Sequence, residues 1–600
     1  MGTLTFTLSS CSRSWDAPRY SHYGDTHGHT LVILTLMGCT EVSTLRRPLA
    51  LHSGYDQNTA LEIFSTRIAV VIVSEPVFED VLLAFSVSEN LGKLSSHTPS
   101  DLGLDCVFGF KFYAMFMILA GHSLLFLVGG PVLNETGINK ADSVMDVQNR
   151  WIPMYAHEPS SNAATIDSVV RSIANEPFKN NQLFVDTFFL VSGFLLSRLM
   201  LVELDKNKRI NLFSFFALRY IRLTPAYAVV IAFYATLFVK IGSGPLWDAR
   251  IGLERDRCVA SWWANIIYVN NYVNTDMLCM FQSWYIAADT QLFLISMFLV
   301  YTMWRWPTVG KILLFVVLAL SVAIPYVITL ISRLDPLLMM FRTELEDISS
   351  NAFFKNSYVK THMRGTPYFL GVLLGYLVHR LQQSDKKVPR YSFNSCRDLR
   401  HTIVVAKILG VAPNKYIILF IPALPFVIAV WFGWILSTFL LVASLYSSNV
   451  FYDPNYRYYA SDAAVFASLD KLGWSLGSSW IIFACITKNA GPIEKFLTWK
   501  PIIPLSRLTY SAFLVNGVVV LHHLGTLRAP TYVEDISLPR GAVGSAPGYK
   551  YMGPGFDSQL IKILISHVFV TFLLALVLSI IFESPLNAIQ KILLRKGNKQ

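Results

Sequence analysis

The sequence predicts an all-α, polytopic membrane protein with about ten transmembrane helices, and two observations carry that prediction. Of the 600 residues, 53% are hydrophobic and 15% charged, with a mean hydropathy of +0.45, whereas soluble domains carry about 25% charged residues. Apolar runs near the ~20 residues that cross a ~30 Å hydrocarbon core also recur along the chain. The spans must be helical, because only helices and closed barrels satisfy their backbone in lipid, and barrel strands are shorter and alternate. A net charge of +11 and a pI of 9.1 would suit a nucleic-acid binder. No basic stripe with interleaved aromatics occurs in a polar segment, however, so nucleic acid is not expected as a partner.

The elements follow in order. Residues 1–81 form an atypical N-terminal region whose apolar patches at 31–37 and 67–74 are too brief to span. The spans are expected at 108–129, 183–203, 223–242, 284–304, 312–332, 366–378, 431–449, 473–487, 504–525 and 561–584, and an apolar stretch at 415–430 lengthens the seventh or adds another. Together they make a transmembrane domain over 82–590, with a possible insertion at 384–430 and a basic tail at 591–600.

Orientation follows from the distribution of Lys and Arg. With the C-terminus in the cytosol, the cytosolic segments hold 20 in 77 residues and the opposite ones 17 in 185. The protein is thus expected in the endoplasmic reticulum or plasma membrane with a cytosolic C-terminus. Asn134-Glu135-Thr136, an N-glycosylation acceptor sequence, falls on the opposite side. The seven cysteines are scattered with no metal-binding spacing, so no metal or bound cofactor is expected. Cys258 and Cys279 share one loop and can pair if that loop faces an oxidising compartment.

Ionisable residues inside apolar spans are costly, and so they point to function. His122 lies well inside the first span, where a neutral imidazole could take a proton from a hydroxyl or serve as structural glue between helices. Lys111 precedes it by eleven residues, which at ~100° per residue returns to the same helix face about 16 Å away. It could hold an anionic group or simply snorkel to the interface. Asp186 stands at the mouth of the second span, able to orient His122, to bind substrate or to complement the helix dipole. Ser192-Gly193 in the middle of that span admits a close neighbour. Arg219 and Arg222, three apart at the start of the third span, present two guanidinium forks that suit phosphate oxygens. Trp284 and Tyr285 open the fourth span, which buries Asp289, a carboxylate that needs a partner.

These pieces in this order resemble the acyltransferase 3 superfamily, and in particular its animal branch, the nose-resistant-to-fluoxetine-like proteins. The likeness runs through GFKFYAMFMILAGHS at 109–123, VDTFFLVSGFLLS at 185–197, RYIRLTPAYA at 219–228, SWYIAADTQLFLIS at 283–296, RGTPYFLGVLLGYL at 364–377, PLSRLTYSAFLVN at 504–516 and FESP at 582–585. It implies a ten-helix core that transfers an acyl group, not an aminoacyl group, from an activated donor such as acyl-CoA to a hydroxyl acceptor, with membrane lipid as its surroundings. Carried over by residue, it implies His122 as catalytic base and Arg219 and Arg222 as donor ligands; Lys111 is expected to join His122 in catalysis by stabilising negative charge, and Asp186, Asp289, Trp284 and Tyr285 are expected at the substrate. The sequence departs from the family at three positions. Lys111 replaces an arginine and loses its bidentate fork, Asn516 replaces a histidine, and Lys471 replaces an arginine. The alternative expectation is a lipid or small-molecule transporter on the same scaffold.

Overall fold

A computed structural model describes residues 81–96, 103–128, 130, 176–339, 347–383, 424–453, 456–528 and 559–597. The N-terminal region through residue 80, the Asn134 acceptor sequence, residues 384–423 of the expected insertion and the last three residues lie outside the described residues. The helices are α1 (Val87–Ser95), α2 (Cys106–Val128), α3 (Gln182–Asn207), α4 (Leu212–Thr236), α5 (Leu253–Ile266), α6 (Trp284–Arg305), α7 (Pro307–Ser332), α8 (Gly365–Gln383), α9 (Leu424–Tyr446), α10 (Ala460–Ile486), α11 (Thr509–Thr526), α12 (Gln559–Leu578) and α13 (Ser584–Gly597). Each of the ten expected spans overlaps one of these helices, although 504–525 begins in a separate short helix before α11. Seven of them, α2, α3, α4, α6, α7, α9 and α12, are long and apolar enough to cross a membrane. The apolar stretch around 424–430 extends the front of α9.

Local chemistry sets the boundaries. Lys208 closes α3 in the left-handed region at φ 59°. Asn211 then starts α4 by accepting from the amides of Phe213 (3.0 Å) and Ser214 (3.3 Å), an N-cap that satisfies two orphan donors. Pro307 opens α7 at a position where its missing N–H costs nothing. The span expected at 504–525 is broken at Leu508: a short helix, Ile502–Arg507, precedes α11. Arg507 there turns back to donate to the carbonyls of Lys93 (2.6 Å) and Leu94 (2.8 Å) at the end of α1.

Small residues let α3 and α8 cross closely. A Cβ on Gly193 would meet the Tyr368 carbonyl, and one on Gly371 or Gly375 would meet the backbone of Leu190 or Phe194. Asp186 of α3 also forms a buried ion pair with Arg364, the residue just before α8, at 3.2 Å and side-chain exposures of 0% and 1%. At one end of the bundle Cys258 and Cys279 form a disulfide between α5 and the loop before α6. Arg257 of α5 binds Asp347 at 2.7 Å, and Lys355 binds Asp276 at 2.7 Å. These contacts bring the segment after α7 to the same end, called here the disulfide end. The opposite end, where α3 ends and α2 and α4 begin, is the basic end.

Candidate active site

A cavity of about 510 Å³ lies among α2, α3, α4, α6 and α11. Its wall includes Lys111, His122, Arg219, Arg222, Trp284, Tyr285 and Asp289, so seven of the eight residues singled out in the sequence meet in one space. Asp186 is the exception. Its carboxylate is occupied by Arg364, and Arg364 also donates to Gln182 at 3.3 Å, so Asp186 braces the helices beside the cavity.

His122 is positioned by its own helix and two neighbours. Gly121 beside it leaves room for Asn181, whose amide donates to the Met117 carbonyl at 2.6 Å and fixes the start of α3 against α2. Asn516 of α11 accepts from Nδ1–H of His122 through Oδ1 at 2.7 Å. Phe281 packs edge-on against the ring at 5.1 Å. With a carboxamide oxygen as its partner, Nδ1 carries the hydrogen, and in the neutral ring Nε2 keeps its lone pair. That arrangement leaves a basic nitrogen available to a hydroxyl proton.

Toward the basic end the cavity turns cationic. Arg219 forms an ion pair with Asp289 and lies 4.4 Å over the ring of Phe293. Lys111 is near enough to Arg222, Arg219 and Asp289 to interact with their charges. Three cations thus face Asp289, whose Oδ1 is buried without a hydrogen-bond partner, and Arg222 also interacts with Glu583, which leaves one more cation than carboxylates. The surplus suits a multiply charged anion. Among the described residues, no group of three or more His, Cys, Asp or Glu is arranged to hold a metal ion.

Two neighbours were not identified as site residues from the sequence. Asn516 stood out only as a substitution for histidine, although an asparagine in an apolar helix is itself a sign of a buried partner. Gln282, 2% exposed, lines the cavity with Oε1 unpartnered. It precedes the fourth span in a loop, where a glutamine draws no attention.

Known proteins resemble the chain over most of its length. The family model for an acyltransferase domain, acyltransferase 3, matches residues 103–584. Nose resistant to fluoxetine protein 6 of Caenorhabditis elegans is 24% identical over 545 residues, covering 86% of this chain and 54% of that protein. Regulator of hypoxia-inducible factor 1 of the same organism is 24% identical over 314 residues, covering 50% of this chain and 55% of its own. A Staphylococcus aureus protein whose name gives it, provisionally, as an O-acetyltransferase is 26% identical over 230 residues, 37% of this chain and 35% of its own. The chain spans about half the length of the two nematode relatives. No solved structure matches the chain.

Proposed function

The chain belongs to the acyltransferase 3 family, and on that premise we propose that it is an integral membrane O-acyltransferase that moves an acyl group from acyl-CoA to a hydroxyl. The observation that carries this reading is the meeting of His122 with Lys111, Arg222 and the Arg219–Asp289 pair on one cavity. Arg222 and Lys111 grip the donor's phosphates, while Arg219, held by Asp289, supplies a fixed positive charge beside them. His122 Nε2 takes the proton as the acceptor oxygen attacks the thioester carbonyl. The tetrahedral oxyanion then collapses with loss of the thiolate, which receives that proton, so an ester and a free thiol leave. The donor enters from the basic end, which faces the cytosol together with the C-terminus. The disulfide end faces the oxidising side, in keeping with the Cys258–Cys279 pair, and the membrane is that of the endoplasmic reticulum or the cell surface.

The test is thiol release from acyl-CoA by the purified chain in lipid nanodiscs. His122→Ala is expected to slow it by about 10²–10⁴-fold, the usual contribution of general acid–base catalysis. Turnover equal to the parent would remove the role. The competing reading, lipid movement without chemistry, draws support from a cavity whose wall takes residues from both ends of the bundle. It predicts transit of a labelled lipid across reconstituted vesicles with no donor present.

A further inference from the structure

Beyond His122, toward the disulfide end, the same cavity changes character. Leu125 follows His122 by three residues on α2, one rise of about 4.5 Å farther along the helix. Phe178, Leu338, Ile348, Phe354 and Tyr358 continue the wall. The cations of this half are already occupied. Lys179 is paired with Glu176, and its ammonium lies 4.5 Å over the ring of Tyr452. Arg364 is bound to Asp186 and covered by Tyr358, whose ring is 4.4 Å from the guanidinium. The amides are engaged as well: Asn181 donates to Met117, and Gln182 donates to Asn180 at 3.3 Å while accepting from Arg364. Gln282 is turned away too: its amide packs at Gly517 beside the Tyr234 hydroxyl and donates to the Leu514 carbonyl at 3.5 Å.

We infer that this aromatic half binds the acceptor, and that the acceptor is a lipophilic alcohol with one hydroxyl at His122 and its hydrocarbon running toward Phe354 and Tyr358. The inference rests on the acyltransferase reading and adds its substrate class. A sugar or other polyol would leave several hydroxyls facing hydrocarbon with no donor or acceptor to replace water, and such burial is unfavourable at every unpaired group. A long-chain or ring-fused alcohol meets the opposite balance. Its apolar body gains from leaving water, and its single polar end arrives at the free nitrogen lone pair of His122. The assignment of this half to the acceptor also fits the other half. Donor phosphates held at Lys111 and Arg222 place the thioester on the basic-end side of His122, so the attacking oxygen must approach from the far side.

The experiment uses the full chain in nanodiscs with a diazirine-bearing hexadecanol, mapping cross-linked peptides by mass spectrometry and, in parallel, following thiol release from acetyl-CoA. Labels are expected on the 347–358 segment or at Leu338, displaced by plain hexadecanol and retained in the presence of palmitoyl-CoA. Ile348→Trp, which fills this half, is expected to raise the KM for hexadecanol at least tenfold with the KM for acetyl-CoA unchanged. Phe354→Ala, which widens it, reads the same quantity in the other direction, toward bulkier alcohols. Loss of the label on adding palmitoyl-CoA but not acetyl-CoA would overturn the inference, because the space would then hold the acyl chain. Faster transfer to a soluble sugar than to hexadecanol would also overturn it, as would thiol release without any label in this region. An absence of thiol release from every acyl-CoA, with or without alcohol, sinks the acyltransferase reading itself.

Discussion

The two ends of the cavity differ in how the basic residues on and beside the wall are balanced. On the basic-end side of His122, three cations, Lys111, Arg219 and Arg222, face two carboxylates, Asp289, which is paired with Arg219, and Glu583, which interacts with Arg222 and accepts from Ser511. On the other side Lys179 has Glu176, and Arg364 has Asp186. The first group retains positive charge for a ligand, while the second has used its charge to tie helices together. Residue type alone does not mark an anion site in a membrane protein; the local ratio of cations to carboxylates does. His122 sits where the two regimes meet, which is where a charged donor and an apolar acceptor would have to come together.

The largest effect expected from testing this comparison is on stability. Asp186→Asn leaves Arg364 buried without its counter-charge, and breaking a buried pair costs about 3–5 kcal/mol. The variant should unfold at markedly lower temperature in a scanning assay, while the molecules that remain folded keep the parental KM for acyl-CoA. A selective rise in that KM with unchanged melting would instead return Asp186 to the substrate. Arg222→Ala comes next. It removes a cation whose neighbouring carboxylates, Asp289 and Glu583, keep Arg219 and Ser511 as partners, so melting should hardly move while the KM for acyl-CoA rises about tenfold or more, a charge-assisted contact of roughly 1.5–3 kcal/mol. An unaltered KM would mean that the basic half is not the donor site.

Asn516→Ala should have a smaller effect. Without the acceptor on Nδ1, the ring can turn or change tautomer, and kcat should fall about tenfold, near the value of one hydrogen bond, with both KM values held. Asn516→Asp, which keeps an acceptor at that position, should recover part of the loss. The smallest effect expected is that of salt. Donor affinity should weaken several-fold between low and high ionic strength because the cationic half attracts its ligand partly at long range, whereas affinity for an uncharged alcohol should not follow salt.

Much of this was legible in the sequence, and the physical reasons divide cleanly. Span positions are readable because a run of apolar residues of membrane length admits few other structures, and each of the ten segments overlaps a helix. The common face of Lys111 and His122 is also a local matter, set by helical periodicity. Partners are not local. Asp289 meets Arg219 across 70 residues and Asp186 meets Arg364 across 178, and no pattern within either helix announces the other. The sequence therefore reads Asp186 and Asp289 alike, although Asp289 lines the cavity and Asp186 is taken up by Arg364 beside it. The amide of Asn516 lay 394 residues from the imidazole it orients. The break at Leu508 was likewise hidden, as was the contact of the adjacent Arg507 with α1 more than 400 residues earlier in the chain.

The most direct measurement of the central claim separates binding from chemistry in one variant. Affinity for free coenzyme A and the rate of thiol release from acetyl-CoA would be determined for the parent and for His122→Ala in the same nanodiscs. If His122 is the base between a cationic donor half and an aromatic acceptor half, affinity stays within about twofold while kcat falls by ~10²-fold or more. A variant that turns over at the parental rate, or one that loses coenzyme A binding and turnover together, would contradict it.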